Sequence, residues 1–76
     1  MVNSLSQLDA VETHPDKVSG AWVFRGTRVP VASLFENIRD GATVDEFLEW
    51  FPGVNRADVN SVLNHEVAML TTADAA

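Results

Sequence analysis

The sequence feature that most constrains the fold is a helical spacing of apolar residues that recurs within residues 31–70. Apolar residues at positions i, i+3, i+4 and i+7 lie on one face of an α-helix. Two sets have this spacing: Val31, Leu34, Phe35 and Ile38, then Val44, Phe47, Leu48 and Phe51. A third set, Val59, Val62, Leu63, Val67 and Leu70, lies along one side of a further helix. Short amphipathic helices can bury such faces only against one another, so the pattern predicts a three-helix core.

Turn and capping residues indicate where these helices begin and end. Pro30 suits the opening of the first helix, and Gly41 suits a left-handed termination. Thr43 followed three residues later by Glu46 forms a capping-box pattern at the start of the second helix. Pro52-Gly53 ends that helix and opens a turn with helix-turn-helix proportions, although the same geometry also occurs in domains that do not bind DNA.

Two short extended stretches precede the helices, near Leu8–Glu12 and Ala21–Arg25, and turn signals separate them. The sequence therefore predicts a mainly α fold, in which a three-helix helix-turn-helix core follows a short β arm or hairpin. We expect this single domain to cover residues 8–70, between a flexible arm at 1–7 and a flexible tail at 71–76.

Composition limits the class of protein. The 76 residues include no cysteine, which excludes disulfides and thiolate zinc sites. No apolar run approaches the roughly 20 residues of a membrane helix, and the start lacks the blocks of a signal peptide, so we expect a cytoplasmic protein with no membrane partner. Because so small a core is only marginally stable alone, we also expect self-association or a partner protein.

The net charge of −6 is unevenly distributed along the chain. Four of the five basic residues lie within residues 17–39, so a small basic segment interrupts an acidic molecule. Acidic proteins bind basic proteins readily and duplex DNA poorly, since affinity for DNA comes largely from neutralising phosphates. The overall charge therefore favours a protein partner.

The basic segment contains the most distinctive stretch of the chain, Ser19–Val31. Its run Arg25-Gly26-Thr27-Arg28-Val29-Pro30-Val31 resembles the signature of the small bacterial domain-of-unknown-function 433 family. The Asp40–Thr43 turn, the Phe51–Gly53 stop and the helix from Asn55 also resemble that family, so the resemblance covers about residues 8–68. Trp22 departs from the pattern, because the family usually has proline there.

This resemblance implies a homeodomain-like, helix-turn-helix fold that is commonly dimeric. Members often look like the antitoxin half of a toxin–antitoxin pair, encoded beside a toxin with a PIN-like ribonuclease domain. The family carries no assigned catalytic residues, so none are transferred to this chain.

Several residues are candidate contacts to nucleic acid or another anion. Arg25 and Arg28 can clamp a phosphate or carboxylate bidentately, and the hydroxyl of Thr27 can hydrogen-bond the neighbouring backbone. On the third helix, amide and hydroxyl groups on the face opposite the core can hydrogen-bond base edges, while a single arginine supplies the only positive charge. The candidate contacts are Arg25, Thr27, Arg28, Arg56, Asn60, Ser61 and Asn64.

A structural alternative stands beside this interpretation. One of the two arginines of the turn can pair with Glu36, Asp40 or Glu66 and so fix the strand to the helices. Glu66 itself lies near the middle of an apolar stripe, where it either pairs with an arginine or anchors a basic group of a partner.

Three aromatic residues are candidate anchors of a partner or dimer interface. Trp50 lies at the margin of the apolar stripe of the second helix, and Trp22 and Phe24 alternate on one side of the second extended stretch. Exposed aromatic residues commonly anchor interfaces, and packing at the edge of the core is the alternative.

The sequence predicts no enzyme, no metal and no cofactor. His14 and His65 are far apart and show no metal-ligand spacing, and no serine lies in a nucleophile-elbow motif. The first functional hypothesis is a non-enzymatic, antitoxin-like protein that binds and neutralises a basic PIN-like ribonuclease toxin. The same protein would regulate its operon by binding operator DNA as a homodimer. The alternatives are a stand-alone dimeric transcriptional regulator and an oligomeric interaction domain that binds no nucleic acid.

Overall fold

The computed structural model describes residues 8–13 and 21–75, and its side chains are described as far as Thr71. The elements are β1 (Val11–Thr13), β2 (Trp22–Phe24), α1 (Val31–Arg39), α2 (Val44–Trp50) and α3 (Arg56–Ala75). A two-stranded antiparallel hairpin thus precedes three helices, which confirms the prediction of a mainly helical fold with a short β hairpin. The predicted arm at residues 1–7 lies outside the described residues.

The hairpin is shorter than the extended stretches suggested. Val11 pairs with Phe24, and Thr13 pairs with Trp22. The chain after β2 folds back along the other side of this strand. Phe24 N–H donates to the carbonyl of Val29 at 3.0 Å, and Val23 forms an isolated antiparallel bridge with Pro30. β2 therefore lies between β1 and the segment that leads into α1.

The helix ends follow the predicted capping residues. Gly41 adopts a φ of 103°, a left-handed conformation that favours glycine and ends α1. At the start of α2, Thr43 Oγ1 accepts from Glu46 N–H at 3.1 Å, while Glu46 Oε1 accepts from Thr43 N–H at 2.9 Å. This reciprocal capping box satisfies two main-chain donors that the helix cannot pair internally.

The core gathers buried residues from both strands and all three helices into one cluster. Phe24 and Phe47 are both fully buried, with ring centroids 6.1 Å apart, and Phe51 lies 4.8 Å from Phe47. The other fully buried or nearly buried residues are Ala10, Val11, Val23, Val31, Leu34, Val54, Val59 and Val62.

α3 differs most from the sequence-based expectation. It runs without interruption to Ala75, whereas we expected a tail from Thr71, because neither glycine nor proline follows to stop it. Its 20 residues span about 30 Å, while the 9 residues of α1 span about 14 Å. The outer half of α3 consequently extends past the core, which leaves Val67 62% and Leu70 68% exposed.

Candidate functional site

The turn from β2 to α1 is built around glycine and threonine. Gly26 has a φ of 78°, a backbone conformation that residues other than glycine adopt only with strain. Thr27 Oγ1 donates to the carbonyl of Phe24 at 2.8 Å and accepts from Val29 N–H at 3.0 Å. The hydroxyl of Thr27 is thus occupied within the turn, so the structure gives it a local structural role instead of the predicted contact with an anion.

Thr27 also connects this turn to the one between α2 and α3. Its methyl group lies 3.8 Å from the position that a Cβ atom would occupy at Gly53. The arginine-bearing turn therefore packs beside the turn that precedes α3, and the structure brings together two segments that are distant in the sequence.

Arg25 is held by contacts within its own chain. Its Nη1 lies 3.2 Å from Glu12 Oε1, its Nη2 donates to the carbonyl of Val11 at 3.1 Å, and its Nε donates to the carbonyl of Asp9. The other carboxylate oxygen of Glu12 accepts from Gly26 N–H at 2.9 Å. Arg25 therefore supports the hairpin.

Arg25 pairs with a carboxylate of its own chain, as the structural alternative expected, but the partner is a different one. None of the carboxylates expected to pair with it does so, because β1 brings Glu12 beside Arg25 across the hairpin. Glu66 instead contacts the neighbouring His65, with Oε2 3.2 Å from Nδ1, which corrects the expectation of an arginine partner.

Arg28 differs from Arg25. It is exposed, and its guanidinium makes no hydrogen bond or ion pair with the parts of the chain that the structure describes. Of the two arginines in the turn, Arg28 is therefore the one whose five donors have no partner among the described residues.

The predicted contact residues of α3 lie at the surface. Asn60, Ser61 and Asn64 are all exposed, as a base-reading helix requires. Arg56, the single cation of this helix, pairs with Asp45 of α2. Both side chains are more than half exposed, so the pair contributes about 0–1 kcal/mol and mainly lowers the local positive potential.

The remaining arginine, Arg39, is also paired. Its Nε lies 3.0 Å from Asp40 Oδ1, and the hydrogen bond to this carboxylate raises the pKa of Arg39 above its usual value. Arg25, Arg39 and Arg56 thus each face a carboxylate, so three of the four arginines of the chain are paired. Within the basic segment, Arg25 and Arg39 are paired, and Arg28 is not paired with any residue that the structure describes.

The three predicted aromatic anchors have different surroundings. Phe24 is fully buried against Phe47, so the prediction that it lies at an interface is wrong: β2 is covered on both faces. Trp22 is partly buried and packs against the core. Trp50 is 54% exposed at the end of α2, so its ring is available to a partner.

Within residues 8–13 and 21–75, the structure shows no pocket and no group of three or more side chains placed to hold a metal ion. No helix in the same residues has the length and apolar character needed to cross a membrane.

Comparison of the sequence with known families gives one match. The profile of the family described as "Protein of unknown function (DUF433)" matches residues 11–65, which is well over half of the chain. The chain belongs to the DUF433 family. The DUF433 match runs from β1 into α3 and ends before the exposed Val67 and Leu70. No curated protein and no solved structure matches the chain.

Proposed function

We propose that this DUF433 protein is a non-enzymatic, antitoxin-like binding module that covers a basic surface of a PIN-like ribonuclease. The observation that carries this proposal is the pairing of Arg25, Arg39 and Arg56 with carboxylates of the same chain. Because three of the four arginines are paired in this way and the net charge is −6, the charge left for a partner is mainly negative, and such a surface complements a protein that binds RNA.

The distribution of the other carboxylates supports an acidic binding surface. Within the described residues only Arg28 carries an arginine charge without a carboxylate beside it, whereas several carboxylates have no arginine partner. These carboxylates are Asp9, Glu46, Glu49, Asp58 and Glu66. The excess of negative charge would speed association with a basic partner and make it dependent on salt.

Apolar groups at the surface supply candidate anchors for the same interaction. Trp50 is 54% exposed at the end of α2, and Glu49, the preceding residue, is exposed as well. On α3, Val67 and Leu70 are three residues apart and thus neighbours on one face of the helix. Exposed apolar and aromatic groups of this kind mark protein-binding surfaces more often than DNA-binding ones.

Binding of operator DNA is a second candidate function of the same protein. We propose that α2, the Pro52-Gly53 turn and α3 form a homeodomain-like helix-turn-helix in a homodimer. The exposed side chains of Asn60, Ser61 and Asn64 favour this function, because such groups hydrogen-bond base edges. Arg28 would supply a phosphate contact from each copy.

The antitoxin proposal is tested by reading the neighbouring frames for a PIN-like protein, which we expect to find, and by co-expressing that protein with this chain. We expect co-expression to relieve growth arrest caused by that protein and the two chains to co-purify in a complex that weakens as salt increases. Trp50→Ala should weaken the complex at least tenfold, whereas Ser61→Ala, an exposed substitution on α3, should leave it unchanged. Continued growth arrest together with separate elution of two folded proteins would contradict the proposal.

The DNA-binding candidate is tested on the promoter fragment that precedes the chain's own reading frame. We expect a specific shift of that fragment, and its affinity should fall steeply with salt because phosphate contacts release counterions. Arg28→Ala should lower the affinity for all sequences, whereas Asn64→Ala should relax discrimination among sequences. If the protein binds the ribonuclease but does not shift the promoter fragment, the DNA-binding proposal is wrong and the antitoxin proposal stands alone.

A further inference from the structure

The outer edge of β1 carries main-chain groups that point away from β2. Phe24 N–H donates to Val29, on the far side of β2, while Arg25 N–H donates to the carbonyl of Ala10 at 2.9 Å. In an antiparallel ladder, hydrogen-bonded and non-hydrogen-bonded pairs alternate, so Val11 and Phe24 form a non-hydrogen-bonded pair. The N–H and carbonyl groups of Val11, and by the same alternation those of Thr13, therefore face the outer edge.

The guanidinium of Arg25 covers part of this edge. Its Nη2 donates to the outward carbonyl of Val11 at 3.1 Å, and its Nε donates to the carbonyl of Asp9. Glu12 fixes the guanidinium in this position through Nη1, at 3.2 Å. The side chain of a β2 residue thus reaches around to the far side of β1 and occupies acceptors that a further strand would need.

Edge strands present unpaired donors and acceptors that can template the addition of another strand, and charged side chains commonly protect them. We propose that Arg25 closes the outer edge of β1 to strand addition by a second copy of this chain. This inference concerns the hairpin alone and does not depend on the proposed function.

Among the described residues β2 is the only strand beside β1, and a second copy of β1 fits the other side. Two β1 strands related by a two-fold axis would place Val11 of one copy opposite Thr13 of the other, and each of these residues offers one donor and one acceptor. The same arrangement would bring the two Glu12 side chains together, and their repulsion would oppose the pairing once Arg25 no longer compensates their charge. Arg25 and Glu12 therefore act together against self-association through this edge.

The test compares self-association of the full chain and its variants by sedimentation over a range of concentrations. We expect Arg25→Ala combined with Glu12→Gln to raise the association constant by about tenfold or more, the factor that corresponds to one net main-chain hydrogen bond. Infrared spectra of the associated variant should show additional intermolecular strand. The control is Arg28→Ala, which removes an arginine of the same turn that does not touch β1.

A third substitution separates strand addition from aggregation of unfolded chains. Thr13→Pro removes an outward N–H without breaking a bond to β2, and proline is tolerated on edge strands. Added to the Arg25→Ala and Glu12→Gln pair, it should return the association constant to the native value. Association that persists despite Thr13→Pro would overturn the proposal, as would a folded Arg25→Ala and Glu12→Gln variant with native association.

Should that double variant fail to fold, Arg25→Lys and Arg28→Lys provide the comparison. A single ammonium group cannot span the carbonyls of Asp9 and Val11 as the guanidinium does, so Arg25→Lys should associate more strongly than Arg28→Lys. Equal association of the two lysine variants would overturn the proposal.

Discussion

Replacing Thr27 with valine separates a structural role of this residue from a role in binding. The change keeps the shape of the side chain, including the methyl group beside Gly53, but removes the hydroxyl that donates to Phe24 and accepts from Val29. Each such hydrogen bond contributes about 0.5–1.5 kcal/mol net to the free energy of unfolding. The substitution also leaves the N–H of Val29 without its acceptor, which adds a desolvation cost. The hydroxyl is only partly buried, so water compensates in part, and we expect a loss of about 1–2 kcal/mol.

In a domain of this length, 1 kcal/mol corresponds to a shift of about 4–8 °C in Tm, so Thr27→Val should lower Tm by about 5–15 °C. Thermal and urea unfolding followed by circular dichroism measure the change, and the urea m value should stay constant if the native state remains compact. Thr27→Ser keeps the hydroxyl and should recover most of the loss. A Thr27→Val variant with native Tm that fails to bind the ribonuclease or the promoter would refute this reasoning.

Three other predictions concern stability measured in the same way. Gly26→Ala should lower the free energy of unfolding by about 1 kcal/mol, because a φ of 78° is strained for alanine even though no atom blocks the Cβ. Gly53→Ala should lower it by less than half as much, and equal losses in the two variants would contradict the argument from backbone strain. Thr43→Ala removes the capping box and should cost about 1 kcal/mol, and an unchanged Tm would show that the α2 cap is dispensable. Phe47→Ala should lower the free energy of unfolding by about 3–5 kcal/mol, because Phe47 is fully buried. A loss of this size equals the whole stability expected of so small a core, so the variant should be largely unfolded. A cooperative transition near the native Tm would disprove the central position of this ring.

The local pattern of the sequence predicts α1 and α2 well. Their apolar spacing identifies the buried Leu34 and Phe47, and the glycine and capping-box signals mark the ends that the structure shows. These signals lie within a few residues of one another, so no distant contact is needed to read them.

The spacing of apolar residues does not show how far a partner helix extends along each face. Phe35 and Ile38 carry the same helical pattern as Leu34, yet they are 37% and 36% exposed. Val67 and Leu70 are more exposed still, because the shorter helices end before the outer half of α3. Length mismatch between helices is a property of the whole fold, and periodicity cannot report it.

The site depends on contacts that sequence patterns do not encode. Arg25 and Glu12 are 13 residues apart and meet only in the register that β1 and β2 adopt. A shift of one residue would turn Glu12 to the other face, so its pairing could not be read from spacing. Likewise Val23 and Phe24 point to opposite faces and are both fully buried, which alternation alone would not reveal.

The outer half of α3 has a consequence for the lifetime of the protein. An isolated helix of so few turns is only marginally stable in water, and here solvent surrounds most of the segment that holds Val67 and Leu70. Its amide hydrogens should therefore exchange with solvent faster than those of Val59 and Val62, which are fully buried. Proteases cleave chains that open in this manner, so whatever covers this segment would also slow turnover of the protein, and abundance would then follow occupancy.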